Sequence, residues 1–191
     1  MKRALLTAGA IFAIVFPSAC RSRIETAAAN RATLKSMPKW YASPPKGDDK
    51  WIYSPATATS QDVQIAINKA QAEGRAGLAS QLEVKYGALT RRFAEETGTG
   101  MGAQLLSEYE QTYKAVVSQV LIGTRAKDQK FSVEAGVYRA WVLMELPVGE
   151  ASKKLLEQLR QQEQLYTRIQ ATNAYKELNE EVEKYEAARR R

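Results

Sequence analysis

The residues able to do chemistry in this 191-residue chain are few, and the first is Cys20, its only cysteine. Met1-Lys2-Arg3 is a cationic start, Ala4 to Phe16 is apolar apart from Thr7 and Gly9, and Pro17-Ser18-Ala19 brings small residues up to the thiol. Basic, apolar, small and then cut is the order of a secretory signal, and the apolar run is too short for a membrane-spanning helix. A cysteine at the cut matches the bacterial lipoprotein arrangement, in which the thiol is acylated and cleavage leaves Cys20 as the lipidated N-terminus, with palmitate the expected lipid. Pro17 departs from that arrangement, which usually has Leu, Val, Ile or Ala there. Arg21, not Asp, follows Cys20, which agrees with transfer to an outer membrane if the cell is Gram-negative.

The remaining chemistry is mostly ruled out. There is no histidine, so the usual general base near neutral pH and the commonest zinc or copper ligand are missing. Without a second cysteine there is no intramolecular disulfide and no thiolate metal site. Ser36-Met37-Pro38-Lys39 has the Ser-x-x-Lys spacing of penicillin-recognising enzymes, but that motif needs helix to bring Ser and Lys together, and Pro38 lies within it. Its companion boxes are also missing. The carboxylates Glu95-Glu96 and Glu177, Glu180, Glu181 and Glu183 read as solvated helix ends and faces. The expectation is a protein that is not an enzyme, with no cofactor and no metal.

Loss of residues 1–19 removes Lys2 and Arg3 and no acid, so the formal charge falls from +7 to about +5 and 172 residues remain, enough for one sizeable core. This mild, dispersed charge gives no reason to expect nucleic acid. Residues 20–36 read as a tether with about 22 Å of coil reach. From Met37 the chain turns aromatic and proline-rich: Pro38-Lys39-Trp40-Tyr41, Pro44-Pro45-Lys46-Gly47, then Trp51-Ile52-Tyr53. Trp40, Tyr41, Trp51 and Tyr53, with Lys39, Lys46 and Lys50 nearby, are the candidate partner-binding residues; the alternative is that they cap an edge of the core.

Trp51 to Ala56 reads as a short strand, confined by Pro55 to an edge or strand end. Ser60 then caps a helix to about Glu96, with Val63, Ile67, Ala70, Gly74, Gly77, Leu78, Leu82, Tyr86, Leu89 and Phe93 on one face. Small residues in mid-stripe suit close approach to a sheet. Gly98 to Gly102 follows a helix and lacks the Lys-Ser/Thr ending of a phosphate loop, so it reads as a joint. A helix over about 104–119 comes next. Val120 to Val133 and Val137 to Leu146 read as a hairpin turning at Glu134-Ala135-Gly136. On the return strand Tyr138, Ala140, Val142, Met144 and Leu146 make an apolar face, the signature of an antiparallel α+β layer. From about Glu150 to Ala188 the pattern is helical with a phase slip after Ile169, and reads as a coiled-coil arm or as a helix folded back. Arg189-Arg190-Arg191 could touch anionic lipid or simply complement the helix dipole.

The expected organisation is a signal peptide (1–19), a tether (20–36), an α+β domain (37–147) with a small antiparallel sheet on long helices, and a C-terminal helical extension (148–191). In sequence order come the lipoprotein signal, Pro38-Lys39-Trp40-Tyr41, the Pro-Pro turn and Trp51-Ile52-Tyr53. They are followed by the helix with Ala70, Ala72, Arg75, Leu78 and Ala79, by Leu121-Ile122-Gly123 taken as a strand, and by Tyr138 to Leu143. In that order of parts, over about residues 37–147, the chain resembles the twenty-kilodalton outer-membrane lipoprotein family, which includes a flagellar lipoprotein. Members often have Gly after the first strand, where this chain has Pro55-Ala56. The resemblance implies a helix-on-sheet domain related in shape to dodecin-like folds. It also implies a structural or assembly role at the outer membrane facing the periplasm, with contacts to envelope proteins or to itself as a homo-oligomer, and no catalytic residues. The alternative is a periplasmic lipoprotein that binds cell-wall polymer or regulates a cell-wall enzyme.

Overall fold

The computed structural model describes residues 31–48, 50–98, 102–134 and 136–190; Cys20, the signal reading and the tether reading before residue 31 lie outside them, while residues 31–36 of the expected tether are helical rather than coil. Residues 36–191 gather into one compact unit. Its centre is strand β3 (Val137–Pro147), flanked by β1 (Trp51–Ser60) and β2 (Arg125–Glu134) in an antiparallel sheet of order β1-β3-β2. β1 is an edge strand, as Pro55 requires, but it continues past Ala56 to Ser60, ten residues paired in unbroken register with β3 from Trp51↔Pro147 to Ser60↔Tyr138. Pro55 is tolerated because its missing N–H falls on the open side. Thr57 Oγ1 reaches the Ala140 carbonyl at 2.8 Å, so the even-numbered residues of β1 bond to β3 and the odd-numbered ones face outward.

Because β1 runs on, the next helix starts later than Ser60 would have it. Helix α2 is Val63–Thr97, preceded by the one-turn helix α1 (Lys39–Ala42) near the N-terminus. Its cap is Asp62, whose carboxylate accepts from Ile65 N at 2.9 Å, while Ser60 Oγ accepts from Asp62 N at 3.3 Å. The buried face reads Ala66, Ala70, Gly74, Leu78, Leu82, Tyr86, Leu89 and Phe93, a strict i, i+4 row apart from its Leu89 step; Val63, Ile67 and Gly77 lie at its margins. Over the sheet this row is small. A Cβ at Gly74 would strike Met144 Cγ, and one at Gly77 would strike Ser54 Oγ, so the glycines set the closeness of helix to sheet.

Beyond the sheet, the C-terminal half of α2 pairs antiparallel with α3 (Ala103–Ile122), with Phe93 on Tyr109 (5.2 Å between ring centroids) and Tyr86 near Tyr113 (6.4 Å). Here the reading of Val120 to Thr124 as strand fails. Val116, Val117 and Val120 continue the buried helical face, so tertiary burial overrides their β preference, and Leu121-Ile122 end the helix. The Leu-Ile-Gly element of the family resemblance is therefore a helix end, and β2 begins only at Arg125. The hairpin itself forms, with Gly136 at φ 82° in its turn and an irregularity in β2 between Ala126 and Asp128.

After Pro147 the chain makes three helices where the pattern reads as one: α4 (Val148–Gln161), α5 (Glu163–Ile169) and α6 (Asn173–Arg189). The phase slip after Ile169 marks the second break, where Thr172 Oγ1 caps α6 by accepting from Tyr175 N. These helices fold back. Leu155, Leu159, Leu165, Ile169, Tyr175, Leu178 and Val182 enter the same core as Leu82, Tyr86 and Phe93. α1 packs on β1 and β3, and Trp141 and Leu143, on the sheet face turned away from α2, are buried. No helix among the described residues is long and apolar enough to cross a membrane.

Candidate functional site

The aromatics singled out above divide into separate places. Trp40 and Tyr41 make an edge-to-face pair at 6.4 Å on α1, both half-buried. Tyr53 projects from β1 on the face away from α2. Lys127 Nζ sits 4.6 Å from its ring centroid, donates to its hydroxyl (3.3 Å) and to Glu145 Oε2 (3.2 Å), and Arg125 Nε lies 3.6 Å from Glu145 Oε1. Cations on both sides thus satisfy the buried Glu145, and the Lys127 pKa is raised, first by the Tyr53 bond and then by Glu145. Trp51 lines a different feature, an open groove of about 720 Å³ between the start of β1 and α6, shared with Lys85, Glu181, Lys184, Tyr185 and Arg189. Among the described residues no ring contact joins Trp40 or Tyr41 to Trp51 or Tyr53. Asp48 accepts from Trp51 N (2.7 Å) and Lys50 N (2.8 Å), which starts β1 and lowers the Asp48 pKa.

The carboxylates read as solvated are exposed apart from the half-buried Glu181, but Glu96, Glu177 and Glu181 are also fastened to other elements, which sequence reasoning missed. Glu181 takes both oxygens to Lys85 Nζ at 2.7 Å and accepts from Ser152 Oγ at 2.8 Å; Ser152 Oγ is 3.1 Å from Tyr86 Oη, and Tyr109 Oη donates to the Tyr86 carbonyl at 3.2 Å. Glu177 and Arg92 form a two-bonded pair at 2.8 Å that lowers the carboxyl pKa and raises the guanidinium pKa. Glu96 accepts from Asn173 N and Ala174 N, holding the start of α6 against the end of α2. Lys153 pairs with Glu186 at 2.7 Å, and Arg190 reaches Glu186 at 3.7 Å. The only sequence signal for this was Tyr86, the one hydroxyl on an otherwise apolar stripe, since a buried hydroxyl needs a partner.

A serine beside a carboxylate and a lysine invites a nucleophile reading, and the geometry argues against it. Ser152 is fully buried, and the carboxylate that accepts its proton, Glu181, is already committed to Lys85 through both oxygens. Burial, opposed by the Ser152 bond, raises the Tyr86 pKa, and burial raises that of Tyr109 well above the usual range, which keeps both phenols neutral. The cluster is a lock between α2, α4 and α6. Among the described residues no group of three acids, histidines or cysteines is placed to hold a metal.

What the fold leaves open is β2. Helix α2 covers β1 and β3 but not β2. Phe131 and Val133, on the α2 side of the sheet by their register with Ala140 and Tyr138, are 58% and 66% exposed. β1 is the blunted edge: it carries Pro55, and Gln81 Nε2 donates to its outward Tyr53 carbonyl at 2.9 Å. β2 contains no proline. The chain matches no protein-family model and pairs with no curated protein.

Proposed function

We propose that this chain is a lipid-anchored protein of the outer membrane, facing the periplasm, that catalyses no reaction and builds or supports an envelope assembly through protein–protein contacts, self-association among them. One observation carries the reading. The buried Ser152, with Tyr86 and the Lys85–Glu181 pair, is spent on fastening helices to one another, while a strand with its apolar side uncovered is presented at the sheet edge. Enzymes concentrate unpaired or poised groups in a cleft; here the poised surface is backbone and hydrocarbon. Cys20 supplies the anchor.

The test has two arms. Metabolic labelling with a fatty-acid analogue is expected to mark the parent chain in the outer-membrane fraction and to fail for Cys20→Ser; labelling that persists without the thiol contradicts the anchor. Detergent-extracted full-length chain is expected to sediment as an oligomer. A monomer that pellets with purified peptidoglycan contradicts the assembly role and favours polymer binding, for which Trp51 in its groove beside Lys85 and Lys184 would be the first contact.

A further inference from the structure

Resting on that reading, we infer that two copies of this chain join through β2 in one register, centred on Ser132, to give a continuous six-stranded antiparallel sheet. The phase of the hydrogen bonds comes first. The Ala140 carbonyl points toward β1, where Thr57 Oγ1 meets it, so Arg139 and Trp141 turn their backbone groups to β2. Their partners are Ser132 and Lys130, which bond inward. The N–H and C=O groups of Gln129, Phe131 and Val133 therefore point outward, along the edge that β2 presents. An antiparallel partner has to use those three residues.

A two-fold axis through the sheet pairs a residue with one on the same face and so passes through a residue. Centres at Gln129, Lys130, Phe131 and Ser132 keep at least five residues of β2 opposite the other copy, whereas Val133 keeps three and Asp128 lies at the irregularity itself. An axis at Gln129 runs the pairing into the irregularity between Ala126 and Asp128. One at Lys130 sets two lysines against each other, and one at Phe131 sets Asp128 against Glu134. The axis at Ser132 has none of these faults. It pairs Phe131 of each copy with Val133 of the other, matching the two exposed apolar side chains through outward-facing backbone. It also places Lys130 opposite position 134, a glutamate, twice over. Both α2 helices then lie on the same face, flanking the strip that holds Phe131 and Val133 of both copies. A second copy is the occupant this edge fits because β2 is complementary to itself in charge and in apolar pattern.

The register makes a measurable demand. Ser132 would face its own copy in a non-hydrogen-bonded pair, where Cα atoms are about 4.5 Å apart, within disulfide reach. Gln129 would be about 20 Å from its counterpart, at about 3.4 Å per residue. In native membranes under mild oxidation, full-length Ser132→Cys is expected to become largely a reducible dimer, well above the parent chain, which carries the same Cys20. Gln129→Cys is expected to stay at the parent level. Adding Lys130→Glu to Ser132→Cys is expected to suppress the dimer at least several-fold, and adding Glu134→Lys to that pair to restore it. Ser132→Cys at the parent level, equal cross-linking at position 129, or indifference to charge reversal overturns the register. If cross-linking fails while the extracted chain still sediments as an oligomer, this register is wrong and the assembly role stands; a monomer in both assays overturns both.

Discussion

Ser152 is the residue on which three helices converge, and its neighbours differ in how much they depend on it. Tyr86→Phe removes a hydroxyl but leaves Ser152 donating to Glu181, and is expected to cost at most about 1 kcal/mol. Ser152→Ala strands the Tyr86 hydroxyl in the core and is expected to cost about 1–3 kcal/mol. Urea unfolding of the two variants checks the order, and the reverse order contradicts the lock. The buried phenols also set the alkaline limit. Their pKa values are raised in the folded state, so the stability they contribute is intact below the ordinary tyrosine pKa near 10 and declines above it as the unfolded chain ionises. The expected loss is up to about 1.4 kcal/mol per pH unit for each phenol; unfolding curves at pH 9 and pH 11 that superimpose contradict it.

At the scale of elements, the two halves of α2 use glycine differently. A Cβ at Gly74 meets the root of the buried Met144 side chain, whereas one at Gly87 meets nothing nearer than Tyr113 Oη at 3.8 Å. Gly87→Ala is expected to gain up to about 1 kcal/mol of helix propensity. Gly74→Ala has the same gain but is expected to lose about 1–3 kcal/mol to overpacking, so melting temperatures should move in opposite directions; a rise in both refutes close helix–sheet packing. Much of this was legible in the chain. The i, i+4 stripe of α2, the apolar face of β3, the turn at Gly136 and the edge character that Pro55 confers are local patterns that survive folding. Less legible was whatever depends on neighbours far along the chain. Val120 to Ile122 have strand-forming side chains but are recruited into α3 because Val116 and Val117 already face the core. Glu96, Glu177 and Glu181 look solvated in sequence because Asn173, Arg92 and Lys85 are about 80 to 100 residues away. The candidate aromatics could be named but not placed, and the exposure of β2 follows from where α2 crosses the sheet, which no pattern within β2 announces.

Across the whole molecule, residues 148–190 belong to the fold as fully as the sheet does. Leu165, Ile169, Leu178 and Val182 share one core with α2 and α3, and Gly149 lies so close to Tyr185 that a side chain there would displace it. Truncation after Gln170 is expected to abolish cooperative unfolding, not to trim an appendage; a truncated chain that melts like the parent refutes this. In the function proposed above, the chemistry of the chain is confined to the Cys20 anchor and the open edge of β2. Its most direct test is the sedimentation of detergent-extracted full-length chain, parent beside Lys130→Glu and the Lys130→Glu, Glu134→Lys double variant. The parent is expected to sediment as an oligomer, the single variant to dissociate and the double variant to recover. A parent that is monomeric at every concentration and binds peptidoglycan contradicts it.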